Sequence, residues 1–97
     1  MKIEEVFSSR GRVRILRILS EISELNISEL ARRAELNYAT ANVHLQLLEK
    51  AGLITHKSFG RIRIFRLNID NPKALLIRDL MEAWEQKNSN STKRDRT

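Results

Sequence analysis

Apolar residues recur along this chain with two different periods, and the switches between them mark out its elements. Ile3, Val6 and Phe7 suggest a short opening helix. Val13, Ile15, Leu16, Ile18, Leu19 and Ile22 recur at helical intervals and predict a longer one, with Ser8 or Ser9 placed to cap it. Arg10, Arg12, Arg14 and Arg17 line its polar side, and Gly11 weakens its first turn. Leu25 to Ile27 is too short for a helix and reads as a brief strand. Ser28 is a suitable N-cap for a helix through Ala34, with Glu29 complementing the helix dipole and Leu30, Ala31 and Ala34 inward. Glu35, Leu36 and Asn37 form a turn. Asn37 then caps a helix over 38–51, which stops where Gly52 can take the left-handed conformation. Leu53 to Ser58 and Arg61 to Asn68 read as two strands around a tip at Phe59-Gly60. Asp70-Asn71-Pro72 restarts a helix, with Asn as cap and Pro at the first helical position. That last helix is expected to run from about 72 to 87, and the polar residues 88–97 to form a disordered tail.

The order helix, helix, brief strand, helix, helix, strand, strand, helix describes a fold that is mainly α with a small β-hairpin. It is a winged helix-turn-helix with an added C-terminal helix, one domain over 1–87. In helix 38–51, Ala41, Leu45, Leu48 and His44 share the inward side. Ala39, Asn42, Val43, Gln46 and Lys50 fall opposite, with Tyr38 at the flank. Asn and Gln can pair bidentately with adenine, and small apolar side chains can meet a thymine methyl, so Asn42, Gln46, Ala39 and Val43 are candidate base contacts. Tyr38 and Thr40 are candidate phosphate ligands. His44 reads as a half-buried packing residue, and His56 as a surface residue of the first wing strand.

Charge sharpens this reading. The net charge of the 97 residues is +6, and residues 50–69 hold Lys50, Lys57, Arg61, Arg63 and Arg66 with no acid. Residues 1–49 balance seven bases against seven acids. An excess concentrated beside a helix-turn-helix implies a phosphate-facing surface. Lys57, Arg61 and Arg63 sit at the hairpin tip, and Arg61 is the choice for a narrow minor groove, which attracts arginine.

Other functions are disfavoured. The chain has no cysteine, which excludes disulfides, thiolate metal sites and cysteine nucleophiles. No glycine-rich phosphate loop or carboxylate cluster is present, so neither an enzyme nor a cofactor or metal site is expected. No apolar run approaches the roughly 18 residues of a membrane helix. The opening M-K-I-E-E is unlike a secretory signal, so a cytoplasmic, nucleoid-associated protein is expected.

The segments L-N-I-S-E-L-A-R-R-A, Y-A-T-A-N-V-H-L-Q-L-L-E-K-A-G-L-I and G-R-I-R-I-F-R-L together resemble the ArsR-type winged-helix regulators, and more loosely the MarR-type ones. The resemblance covers about Phe7 to Asn68, and its most specific part is His44 to Ile54. It implies a transcriptional regulator, a homodimeric repressor on a roughly palindromic double-stranded DNA site. DNA contacts would come from Tyr38, Ala39, Thr40, Asn42, Val43 and Gln46, with Lys57, Arg61 and Arg63 in the wing. Two departures stand out. The thiolate motif of metal-sensing members is absent, and Asn42 replaces the usual small hydroxyl two residues before the histidine. The sequence names no small-molecule effector.

The last helix carries Leu76, Ile77, Leu80, Met81, Ala83 and Trp84 over a broad sector, more apolar surface than one face can pack at home. A symmetric pairing of such helices is the economical answer. Phe7, Ile77, Leu80, Met81 and Trp84 are the expected dimer contacts, with Trp84 as anchor. The alternative is a winged-helix module that packages DNA without sequence preference or binds protein.

Overall fold

The computed structural model describes residues 1–94, the side chains as far as Gln86. Its elements run α1 (Ile3–Phe7), α2 (Arg10–Glu21), β1 (Leu25–Asn26), α3 (Ile27–Ala34), α4 (Tyr38–Lys50), β2 (Ile54–Phe59), β3 (Ile62–Leu67) and α5 (Pro72–Arg94). The three strands form one antiparallel sheet in the order β1-β3-β2. β1 pairs Leu25 with Phe65, and β2 pairs Ile54 with Leu67 through to Phe59 with Ile62. The expected helix-turn-helix with its wing and added C-terminal helix is therefore the observed fold.

The core forms where the inward faces of α2, α3 and α4 meet the sheet. Ile15, Leu16, Leu30, Leu45, Leu48, Ile54 and Phe65 are its largest fully buried side chains. Each removes from water an apolar side chain worth about 1.5–3 kcal/mol. Ala31, Ala34 and Ala41 are buried too, and their small size lets the backbones of α3 and α4 come close. Within α5, Ala74 is buried, while Ile77 and Met81 pack half-buried against the same cluster.

Three local features differ from expectation. The cap of α3 is Asn26, whose side-chain oxygen accepts from the Glu29 N–H at 2.9 Å, so Ser28 lies inside the helix. Asparagine and serine cap about equally well; pairing of β1 with β3 holds Asn26 extended, as an N-cap must be. The hairpin turn is Gly60-Arg61, not Phe59-Gly60, because Phe59 stays in register opposite Ile62. Gly60 at φ 62° supplies the positive angle that a two-residue turn of this kind needs at its first position. Finally, α5 continues past the expected end near Lys87 to Arg94, since no glycine or proline follows to stop it. The last three residues of the expected tail, 95–97, lie outside the described residues. No helix among the described residues is long and apolar enough to cross a membrane.

Candidate nucleic-acid interface

The turn between α3 and α4 is fixed by its backbone. Glu35 closes α3 in the left-handed region at φ 59°, and the Leu36 N–H reaches back to the Ala31 carbonyl at 2.9 Å. Asn37 then opens α4, its side-chain oxygen accepting from the Thr40 N–H at 2.8 Å. Ala41, Leu45 and Leu48 are fully buried, which sets the rotation of α4 about its axis. The opposite side therefore faces out. Tyr38, Ala39, Val43 and Gln46 are exposed, joined by Leu47, while Thr40 and Asn42 are half-buried.

His44 seats the middle of this helix on α2. Arg12 donates from Nη1 to His44 Nδ1 at 3.2 Å. A guanidinium can only donate, so Nδ1 is the acceptor and the neutral ring carries its proton on Nε2. Burial, and secondarily the Arg12 charge, hold the His44 pKa below its ordinary value. Arg12 also grips the Glu5 carbonyl from Nε and Nη2, so one side chain joins α1, α2 and α4. Gly11 makes the approach possible. A methyl group at its Cα would lie 2.8 Å from His44 Nε2 and 3.3 Å from Leu36 Cδ1.

The wing is tied to α4 at two points. Glu49 accepts from His56 Nδ1 at 2.6 Å, and Arg63 Nη2 donates to Asn42 Oδ1 at 3.0 Å. Residues 42 and 49 lie two helical turns apart on one side of α4. Phe65 stands between the ties: its ring is 5.3 Å from that of His56, and the Arg63 guanidinium lies 5.4 Å from its centroid. At the wing's base, the Gly52 carbonyl accepts from Asn68 and from Asn71, both at 2.9 Å. Lys57 and Arg61 are exposed at the far end. So are Phe59 and Ile62, which face each other across the hairpin.

Most of the candidate contacts thus occupy one surface, and three expectations change. Asn42 is not a free polar group, because its oxygen is taken by Arg63. Arg63 is correspondingly half-buried and turned toward α4 rather than outward. His56 is half-buried and paired with Glu49, not an isolated surface residue. Among the described residues, no three His, Asp or Glu side chains cluster as a metal site would require.

A second surface lies on α1 and α5. Leu76, Leu80 and Trp84, spaced by four, are exposed along α5, and Phe7 is partly exposed beside them. Of the five expected dimer contacts, Ile77 and Met81 instead turn half-buried toward the protein's own core. Leu76 belongs to the outward stripe, and its spacing from Leu80 and Trp84 was the signal for it. A groove of about 310 Å³, lined by Met1, Ile3, Phe7, Leu53 and Leu76, continues the apolar surface onto α1.

A buried helix-turn-helix whose second helix faces out beside a sheet-borne basic tip defines the winged-helix class. Residues 9–56 match the model of the family of bacterial regulatory proteins called the arsR family. The chain is 31% identical over 75 residues to a cadmium resistance transcriptional regulatory protein, a CadC homolog of Staphylococcus aureus; the match covers 77% of this chain and 62% of the relative, so just under two thirds of that relative's length is spanned. Among solved structures, a homodimeric winged helix-turn-helix DNA-binding domain from Mycobacterium bovis superposes with a TM-score of 0.69 at 20% identity, covering 87% of this chain and 75% of that one. Streptococcus pneumoniae FabT, solved in complex with DNA, superposes with a TM-score of 0.71 at 16% identity, covering 95% of this chain and 59% of the other.

Proposed function

We propose that this chain is a transcriptional regulator of the ArsR type that binds double-stranded DNA as a homodimer. In this reading the outward side of α4 enters the major groove, with Tyr38 and Thr40 on phosphates and Ala39, Val43, Gln46 and the Asn42 amide on base edges. Lys57 and Arg61 follow the backbone or the neighbouring minor groove. Occupying promoter DNA excludes other factors, which makes the protein a repressor acting in the cytoplasm, and no enzymatic step is involved. One observation carries the reading: the ties at Asn42 and Glu49 hold the basic wing against the helix whose uncharged side faces out. The fold shared with a DNA-bound and with a homodimeric protein supports both halves of it. The cadmium resistance in the relative's name belongs to that protein, and this chain offers no thiolate for a soft metal.

Selection of bound duplexes from a random pool tests the proposal. An enriched, roughly palindromic site is expected. Recovery of random sequence with strong salt dependence would instead make the chain a packaging protein. Arg61→Ala should weaken binding to every duplex alike and lower the salt slope by about 1. If Arg61→Ala binds all duplexes as wild type does, the wing lies elsewhere.

A further inference from the structure

We infer that Arg63 is a positioning residue for base reading: its guanidinium fixes the orientation of the Asn42 carboxamide, so that the NH₂ end is the one offered to DNA and a base-edge acceptor is preferred at that position. The inference rests on the DNA-binding reading above and gives its recognition surface a specific chemistry.

A carboxamide has two ends of similar shape, and its environment must choose between them. Here the choice is forced. Arg63 Nη2 lies 3.0 Å from the Asn42 side chain, and a guanidinium has five donors and no acceptor, so only the oxygen can face it. The arginine is itself held. Its guanidinium packs over the Phe65 ring, which is buried, and residues 63 and 65 share the inward face of β3. Across the ladder, His56 pairs with Phe65 and with Glu49 of α4. The anchor for the Asn42 oxygen is thus one member of a packed row.

The consequence concerns the base that Asn42 meets. A free asparagine turns over to suit its partner, accepting from adenine N6 or cytosine N4, or donating to guanine O6 and N7, thymine O4 or adenine N7. Once its oxygen is engaged by a charged donor, a bond of the stronger kind, a base amino group must compete for that oxygen. A base acceptor has no such competitor, because both amide hydrogens remain available. Arg63 is lost to the phosphates, which leaves Lys57 and Arg61 as the wing's free cations among the residues that the sequence proposed for DNA contact.

Arg63→Met tests this, since methionine keeps the apolar packing on Phe65 and removes the donor. Selection from a random pool is run on wild type, Arg63→Met and Asn42→Asp, with the salt dependence of affinity for the wild-type site. Wild type should enrich an acceptor-bearing base at one position of each half-site. Arg63→Met should lose about tenfold of that preference at that position alone, with an unchanged salt slope. Asn42→Asp keeps an attachment to Arg63 but has no donor, and should lose the preference outright. If Arg63→Met instead weakens all sequences equally and flattens the salt slope, the arginine is a phosphate ligand and the inference fails. A wild-type pool with no enriched sequence would sink the DNA-reading proposal, and this base preference with it. A readout without DNA separates folding from function: amide hydrogen exchange in the wing, residues 57–62, should speed up equally in Arg63→Met and Asn42→Ala. Wing exchange unchanged in both would show that the contact holds nothing in place.

Discussion

The histidine in the seam between α2 and α4 illustrates how a side chain that packs between two helices can set the condition under which the proposed reading helix is properly seated. His44 is neutral, accepts from Arg12, and has its pKa held below the ordinary value of about 6.5 by burial. The unfolded chain therefore binds the proton more readily than the folded one. Stability from this site is fully present above about pH 6.5 and is lost as pH falls toward the lowered folded value. Protonation also destroys the acceptor at Nδ1 and sets a second cation 3.2 Å from Arg12. We expect the melting temperature to fall more steeply between pH 7 and pH 5 for wild type than for His44→Gln, whose amide can still accept. Parallel pH profiles would show that the ring does not carry the effect. Gln46 provides the contrasting case: it is exposed on the outward side of α4. Gln46→Ala should leave stability within about 0.5 kcal/mol of wild type, as surface changes usually do. Its expected cost is about 1–3 kcal/mol of discrimination at one base pair, read by competition binding.

The helices and strands were largely legible in the sequence, because most of their boundaries carry a physical mark in the chain. Asn37, Gly52, Asn71 and Pro72 stand at the positions their chemistry demands. The buried stripe Ala41, Leu45, Leu48 follows directly from helical spacing. What could not be read was any contact between elements. Arg63 and Asn42 are 21 positions apart, and neither periodicity nor charge says that they meet. The same holds for Gly11, which in sequence looks only like a weak helix residue. In the folded protein it is the space into which His44 fits. Two effects then oppose each other in Gly11→Ala. Helix propensity alone should stabilise by about 0.8–1.0 kcal/mol. The new methyl, 2.8 Å from His44 Nε2, should cost about 1–3 kcal/mol through overpacking. The clash should win by a small margin. Its signature is the cycle: with His44→Ala already in place, the ring is gone and Gly11→Ala should turn stabilising. Denaturant unfolding of the four proteins gives the coupling energy, and a value near zero would mean that the ring moves aside freely.

At the scale of the whole fold, the described residues present an apolar surface that the core does not use. Leu76, Leu80 and Trp84 form one exposed line on α5, while Ile77 and Met81 point home, so the helix has two apolar sides with separate duties. The outward line continues through the groove at Phe7 and Ile3 onto α1. A surface of this extent suits a second copy of itself, since a twofold axis lets one patch serve both partners. Stable interfaces bury roughly 800 Å² per partner, which three large side chains and their α1 neighbours can approach. On the proposed reading, such pairing would give so small a domain useful selectivity on DNA: two copies of α4 about one helical turn apart, roughly 34 Å, would engage two half-sites of a palindrome together. The affinities then multiply rather than add. Leu80→Glu sets two like charges facing the axis and should leave a folded monomer. Trp84→Ala should weaken the pair more mildly by removing the largest anchor. The expected readout is half the wild-type mass by light scattering at micromolar concentration, with helical content kept. For Leu80→Glu, affinity for a full palindrome should fall to that for a single half-site. A dimer that survives Leu80→Glu would move the twofold axis off this face, and the spacing of the reading helices with it.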